Sequence, residues 1–281
     1  MSGKKRVLVT GLSGVVGTAI RTEFQNRYEL SSLSRYGTKG IDEEHNFKGN
    51  IAEIETLLPA FRDQHTIVHL AADRSATAEW ESALRNNFIG TYNVFEAARI
   101  SGVKRVVFGS SQHAVGGNYL DEPYCHIMNG EFEKVSRPYP LLDENIRIRP
   151  SGYYGASKAY GESLGSYYSD HHGLSVINIR IGFTISTDDP GFGGGALALW
   201  LSHNDTSQIH AKAVDAPSSI RYTTVYAMSN NYWSIFSLDK ARDQLGYEPV
   251  DGAGKDLNPD SKGHERDKTE YKQHYEDPET Y

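Results

Sequence analysis

Short runs of apolar, β-branched residues alternate along the chain with longer stretches whose apolar positions recur at helical spacing. Arg6-Val7-Leu8-Val9-Thr10 is the first run, and Gly11-Leu12-Ser13-Gly14-Val15-Val16-Gly17 opens a helical pattern that continues to Phe24. Residues 29–34, 66–72, 105–109, 174–182 and 222–227 predict further strands. Residues 79–100, 154 to about 171, 196–201, 205–215 and 238–245 predict helices, the last closed by Gly246 with Pro249 shortly after. Strand and helix alternating in this way predict an α/β fold on a parallel sheet.

Between these elements, residues 118–150 are irregular and polar, too long for an idle connection, and predict a segment that shapes or covers a site. The segment after Gly182, through Gly191-Phe192-Gly193-Gly194-Gly195, predicts a flexible loop, a candidate lid. Beyond Asp251 there is almost no apolar residue, so residues 251–281 read as a charged tail without a core of its own. The chain of 281 residues thus divides into residues 1–182, a smaller portion at 183–250 that includes the last strand, and the tail.

A net charge of −7 argues against nucleic acid or an anionic membrane surface as partner. Cys125 is the single cysteine, which excludes a disulfide within the chain and fits a reducing compartment. The N-terminus runs straight into a strand and no apolar run approaches membrane-spanning length, so a cytoplasmic protein is expected.

Strand, glycine-rich turn and helix is the context that a dinucleotide site requires. In the G-x-x-G-x-x-G spacing, Gly11 allows the tight turn, Gly14 lets the backbone approach a pyrophosphate, and Gly17 lets helix pack on strand. The fold class that follows is a Rossmann-type doubly wound parallel sheet with a small C-terminal substrate-binding portion. NAD sites usually place an acid at the end of the second strand, where this chain has Ser34-Arg35. Arg35 pairs a 2′-phosphate here, with Ser13 or Ser34 adding a hydrogen bond, or it is a solvated loop cation. The first reading predicts NADP, with NAD as the alternative. Asp73-Arg74-Ser75 follows the fourth strand at its carboxyl end, where such sheets bind ligands, making Arg74 and Ser75 substrate candidates. His69, inside that strand, reads as structural.

In Tyr153-Tyr154-Gly155-Ala156-Ser157-Lys158, a helix places Tyr154 and Lys158 on one face. An ammonium near a phenol favours the phenolate, lowering the tyrosine from about 10 and making a general base for an alcohol proton. On its own this spacing is one that 18 tyrosines would produce by chance.

Its neighbours give it weight. The glycine turn, Val68-His69-Leu70-Ala71-Ala72, Asn87-Phe88-Ile89-Gly90-Thr91 and Ser110-Ser111-Gln112-His113, with Tyr154 and Lys158, resemble the extended branch of the short-chain dehydrogenase/reductase superfamily. That resemblance implies a cofactor site at Gly11, Ser13, Gly14, Val15, Gly17, Arg35, Asn50, Ile51, Leu70, Ala71, Ala72, Tyr154 and Lys158. It makes Ser111, Tyr154, Lys158 and Asn87 the catalytic set, with Asn87 holding helix backbone and a water in a proton relay. Phe108-Gly109-Ser110-Ser111-Gln112-His113, Arg180-Ile181-Gly182, Trp200-Leu201-Ser202-His203-Asn204-Asp205 and Leu245-Gly246-Tyr247-Glu248-Pro249 are similar to uronate dehydrogenases and related archaeal sugar dehydrogenases. The likeness covers residues 5–250.

The implied activity is oxidation of a sugar's anomeric C1 hydroxyl to a lactone, on an aldose, sugar phosphate or uronate, with Arg74, Ser75, Ser111, Gln112, His113 and Phe183 around the sugar. No metal is implied. Two departures bear on the substrate: Gly195 stands where uronate dehydrogenases carry the carboxylate-binding arginine, and Phe183 where they carry a serine. An unpaired buried carboxylate costs several kcal/mol, so uronate requires Arg74 or another cation. The alternatives are a nucleotide-sugar epimerase or dehydratase with tightly held NAD, and a non-catalytic cofactor-binding regulator. The resemblance also implies a homodimer packed through helices that contain residues 87–98 and 154–168.

Overall fold

Val7 and Val9 are buried in one hydrophobic cluster and Leu8 between them in another. Alternation across two buried faces is the mark of a strand between helix layers. The structure is a computed structural model that describes residues 3–74, 79–191 and 193–254. Seven parallel strands, β1 (Arg6–Thr10), β2 (Glu29–Ser34), β3 (Asn46–Lys48), β4 (Thr66–His69), β5 (Arg105–Ser111), β6 (Ser175–Ile181) and β7 (Tyr222–Ala227), lie in the order β3-β2-β1-β4-β5-β6-β7. This is the doubly wound arrangement with one strand added. Its strand order reverses between β1 and β4, where the carboxyl ends of such sheets leave a crevice.

The helices among the described residues are α1 (Val15–Arg27), α2 (Leu58–Phe61), α3 (Trp80–Ser82), α4 (Gly90–Ile100), α5 (Tyr124–Met128), α6 (Tyr153–His172), α7 (Gly194–Leu199), α8 (His203–Asp215) and α9 (Asp239–Leu245). On one face Ile20 and Phe24 of α1 meet Ile209 and Val214 of α8 over Val7, Val9 and Val107. On the other, Phe95 of α4 and Tyr168 of α6 cover Leu8, Val106 and Phe108. The first cluster runs from Val7 to Tyr247. The portion after residue 182 therefore shares the core of the N-terminal part, to which β7 adds a strand and α8 a helix.

Four expectations are corrected. The helix expected over 79–100 is broken by a π-helical segment, Ala83–Ile89, between α3 and α4. The wider turn coincides with Asn87, whose side chain is held by the backbone of Asp73. Residues 118–150 do not line the cleft described below but support it from behind: Tyr119, Tyr124, Ile127, Met128 and Leu142 are buried in the first cluster, and the Tyr119 hydroxyl holds Gln112 of the cleft wall. Gly194 and Gly195 belong to α7 and are buried rather than part of a loop, and a side chain on Gly194 would meet the Ile127 carbonyl at 2.2 Å. The polar segment from Asp251 begins inside the packed body: Asn230 N–H donates to the Asp251 carbonyl at 2.7 Å, Tyr232 N–H to the Ala253 carbonyl at 2.8 Å, and Ala253 is buried. Residues 255–281 lie outside the described residues.

Candidate active site

A cleft of about 840 Å³ opens at the carboxyl ends of β1 and β4. Its floor is backbone. Gly11 has φ of +79°, and a Cβ there would meet Ala71 N at 2.8 Å, so only glycine lets the two strand ends approach. Thr10 Oγ1 accepts from Ala71 N–H at 3.2 Å and lies 2.8 Å from His69 Nδ1. His69 is buried and held down to about 3 by burial first and by Lys158 second, so this imidazole is neutral and structural.

Gly14 caps α1 and its first turn faces the cleft, offering backbone N–H groups and the positive end of the helix to an anion. At the end of β2, Ser34 Oγ is buried without a hydrogen-bond partner, beside the exposed Arg35. Arg35 lies 5.6 Å from the ring centre of Tyr36. An unsatisfied hydroxyl, an exposed guanidinium and a glycine-floored groove fit a dinucleotide's ribose and phosphates. Asn50 lines the cleft, but its side chain serves its own turn, accepting from Ala52 N–H and donating to Glu53.

Every described residue expected in the cofactor and substrate sites lines this cleft; of the expected catalytic set, Asn87 does not. Asn87 Oδ1 accepts from Asp73 N–H at 2.7 Å and its Nδ2 donates to the Asp73 carbonyl at 2.8 Å. It clamps the loop that presents Arg74 instead of facing the reacting centre. Ser75 lies outside the described residues.

At the catalytic end, Tyr154 and Ser111 line the cleft together, the Ser111 hydroxyl favours the phenolate, and Ser111 Oγ accepts from His113 N–H at 3.2 Å. His113 Nδ1 lies 2.7 Å from Ser151 Oγ, its ring meets Tyr154 edge-on, and burial lowers it to about 4. Gln112 is held by the Tyr119 hydroxyl. Phe183 is tied into the fold by its N–H to the Leu199 carbonyl at 2.6 Å and its carbonyl to Leu201 N–H at 3.0 Å.

The electrostatics differ from expectation. Tyr154 is partly open to the cleft, yet burial pushes it up to about 12, against smaller lowering by Ser111 and Arg74. Lys158 is buried and lowered to about 8 by the same desolvation. Its Nζ donates to the Gly109 carbonyl at 2.7 Å, directing the ammonium at strand β5 and not at the phenol. Desolvation of both groups outweighs their mutual attraction. Three residues around this centre were missed from sequence. Ser151 and Tyr119 carry no sequence signal; Glu162 does, because it continues the Tyr154–Lys158 spacing by one more turn.

Comparison with known proteins agrees with this geometry. The model of the NAD dependent epimerase/dehydratase family matches residues 7–212. The chain is 35% identical to the NAD-dependent glucose-6-phosphate dehydrogenase of Haloferax volcanii, covering 88% of this chain and 94% of that one. It is 31% identical to the L-arabinose 1-dehydrogenase (NAD(P)(+)) of the same organism, covering 88% and 97%. The solved glucuronic acid dehydrogenase from Chromohalobacter salexigens superposes with a TM-score of 0.70 at 31% identity, over 91% of this chain and 92% of that chain.

Proposed function

The chain belongs to the NAD-dependent epimerase/dehydratase family, and we propose that it is a nicotinamide-dependent sugar dehydrogenase that oxidises the anomeric C1 hydroxyl of an aldose, sugar phosphate or uronate to the lactone. The observation that carries this reading is the meeting of Ser111, Tyr154 and Lys158 at one end of a glycine-floored cleft. Relatives at 31% identity or more that match nearly their whole length are named as sugar dehydrogenases, which leaves the nucleotide-sugar alternative with less support.

The nicotinamide supplies the hydride acceptor when bound. Residues of the chain supply position and the proton path. Tyr154 takes the C1 hydroxyl proton, and Ser111 holds the reacting oxygen against it. Lys158, 5.4 Å from the Tyr154 ring centre, is the group suited to the nicotinamide ribose. Gln112 and His113, each fixed by a partner of its own, present polar edges to the sugar. Asn87 keeps the loop after β4 in place.

NADP is the favoured cofactor, supported by Arg35 and the unpartnered Ser34 Oγ and by the absence of an acid at the end of β2. Arg74 is the candidate partner of an anionic sugar group. It is exposed at the substrate end, and Gly195, buried at the start of α7, offers no side chain in place of the uronate-binding arginine. Residues 1–182 hold the cofactor and the proton path, and 183–250 complete the substrate side. The protein works in the cytoplasm, a reading supported by the single Cys125. No helix among the described residues is long and apolar enough to cross a membrane. A second copy packs on the exposed aromatics Trp80, Tyr92, Tyr153 and Tyr167.

The test is a panel of aldoses, sugar phosphates, uronates and nucleotide sugars with each nucleotide, read by absorbance of reduced nicotinamide and by chromatography of the sugar products. Turnover of a sugar at C1 supports the reading; turnover of nucleotide sugars alone, without net reduction of nucleotide, contradicts it. Within that panel, Arg74→Ala raises KM for an anionic sugar about 10- to 100-fold, the loss of a charge-assisted contact, and leaves a neutral aldose within about 3-fold.

A further inference from the structure

Glu162 and Arg180 form a buried ion pair that the proton-transfer scheme does not use. Arg180 Nε and Nη2 donate to Glu162 Oε1 and Oε2, both at 2.9 Å, and Ser110 Oγ donates to Oε1 at 2.6 Å. Arg180 Nη1 donates to the Tyr226 hydroxyl at 2.9 Å. The two charged side chains are 3% and 6% exposed. Burying a charged pair gains little stability over a well-packed apolar pair, but a bidentate pair fixes direction.

The direction fixed here is that of α6. Ser110 and Arg180 are register partners on β5 and β6, and Arg180 and Tyr226 on β6 and β7. Their side chains form a row across three strands, and Glu162 closes that row from α6. Tyr154, Lys158 and Glu162 follow one another at four-residue intervals along one stripe of the helix. Each meets the end of β5: Lys158 donates to the Gly109 carbonyl, Glu162 accepts from the Ser110 hydroxyl, and Tyr154 lines the cleft beside Ser111. Gly161 lies against the Phe108 ring, where a Cβ would approach to 2.3 Å, so the helix rides close on the strand.

We propose that Ser110, Glu162 and Arg180 are positioning residues for the reaction, locking the height and rotation of α6 on β5 and thereby the contact between Tyr154 and Ser111. The proposal rests on Tyr154 as the base. Loss of the lock shifts the phenol relative to the hydroxyl it must meet, and a displacement on the order of 1 Å costs up to about 100-fold in rate.

Ser110→Ala is the sharpest probe, because it removes the hydroxyl link between Glu162 and β5 while leaving the ion pair whole. Its kcat per folded molecule is expected to fall about 10-fold or more, with KM for sugar and nucleotide within about 3-fold of the parent. Glu162→Gln strands a buried cation and threatens folding, so Glu162→Leu combined with Arg180→Met, which removes both charges, is measured beside it. The same fall in kcat is expected there at unchanged KM. A wild-type kcat in Ser110→Ala overturns the proposal. So does a loss that follows the folded fraction, or one that appears in KM alone, since these are the signs of a merely structural or binding role. A parallel Tyr154→Phe control separates the two ideas. Normal turnover in that control removes the base assignment itself; a dead control beside a fully active Ser110→Ala removes only the positioning proposal.

Discussion

Lys158 Nζ donates to the Gly109 carbonyl at 2.7 Å and stands 5.4 Å from the ring centre of Tyr154. The two residues share a helix face without sharing a hydrogen bond. Burial holds the phenol up at about 12 and the ammonium down at about 8, so at neutral pH the protein alone keeps Tyr154 protonated. The base works only when deprotonated. Turnover in the oxidative direction is therefore expected to climb from about pH 7 to about pH 10, less steeply once Lys158 begins to lose its proton near 8. A kcat profile already flat from about pH 6 upward would contradict this.

Arg35 decides between the two nucleotides. A charge-assisted pair at a partly exposed site is worth roughly 1.5–3 kcal/mol, or about 10- to 150-fold in affinity. Arg35→Ala should raise KM for NADP by that factor and leave KM for NAD within a few-fold. A wild type that reduces NAD more efficiently than NADP, or a substitution that affects both equally, leaves Arg35 as a loop cation.

Much of this was legible from residue pattern. Strands β1 and β7 have the ends their β-branched runs predict, and β2 the ends expected of a short segment between polar breaks. The glycines at 11, 14 and 17 read correctly as the opening of α1 because their role depends on local backbone geometry. What escaped depends on distant partners. The π-helical segment is tied to Asn87 reaching Asp73; the burial of Gly194 needs the Ile127 carbonyl; the docking of Ala253 needs Tyr232 and Asn231. The orientation of Lys158 was equally hidden, because a helical spacing says which face a side chain shares and not which carbonyl it meets.

Buried imidazoles make the fold sensitive to acid. Burial lowers His69 to about 3 and His113 and His210 to about 4. Their folded values lie below the unfolded 6.5, so the unfolded chain binds protons first on acidification. The stability they contribute is complete above about pH 6.5 and is lost as pH falls towards about 4, at roughly 1.4 kcal/mol per unit for each fully buried ring. Melting temperature should drop by several degrees between about pH 7.5 and about pH 5. Replacing His210, whose Nδ1 donates to the Thr206 carbonyl at 2.7 Å, with Gln should flatten that slope. An unchanged melting temperature over this range contradicts the prediction.

The exposed rings of Trp80, Tyr92, Tyr153 and Tyr167 lie along the segments around α4 and α6. A dimer packed there should sediment as such at micromolar concentration, and Tyr92→Glu with Tyr167→Glu should yield monomers. A wild-type monomer under those conditions removes the assembly reading.

The central claim is that Tyr154 is the base of a sugar dehydrogenase, and steady-state turnover of Tyr154→Phe beside nucleotide binding to the same variant tests it most directly. The substitution keeps the ring that meets His113 and removes only the hydroxyl at the Ser111 end of the cleft. The account predicts a fall in kcat of at least ~100-fold with nucleotide affinity unchanged. Turnover close to that of the parent would contradict it.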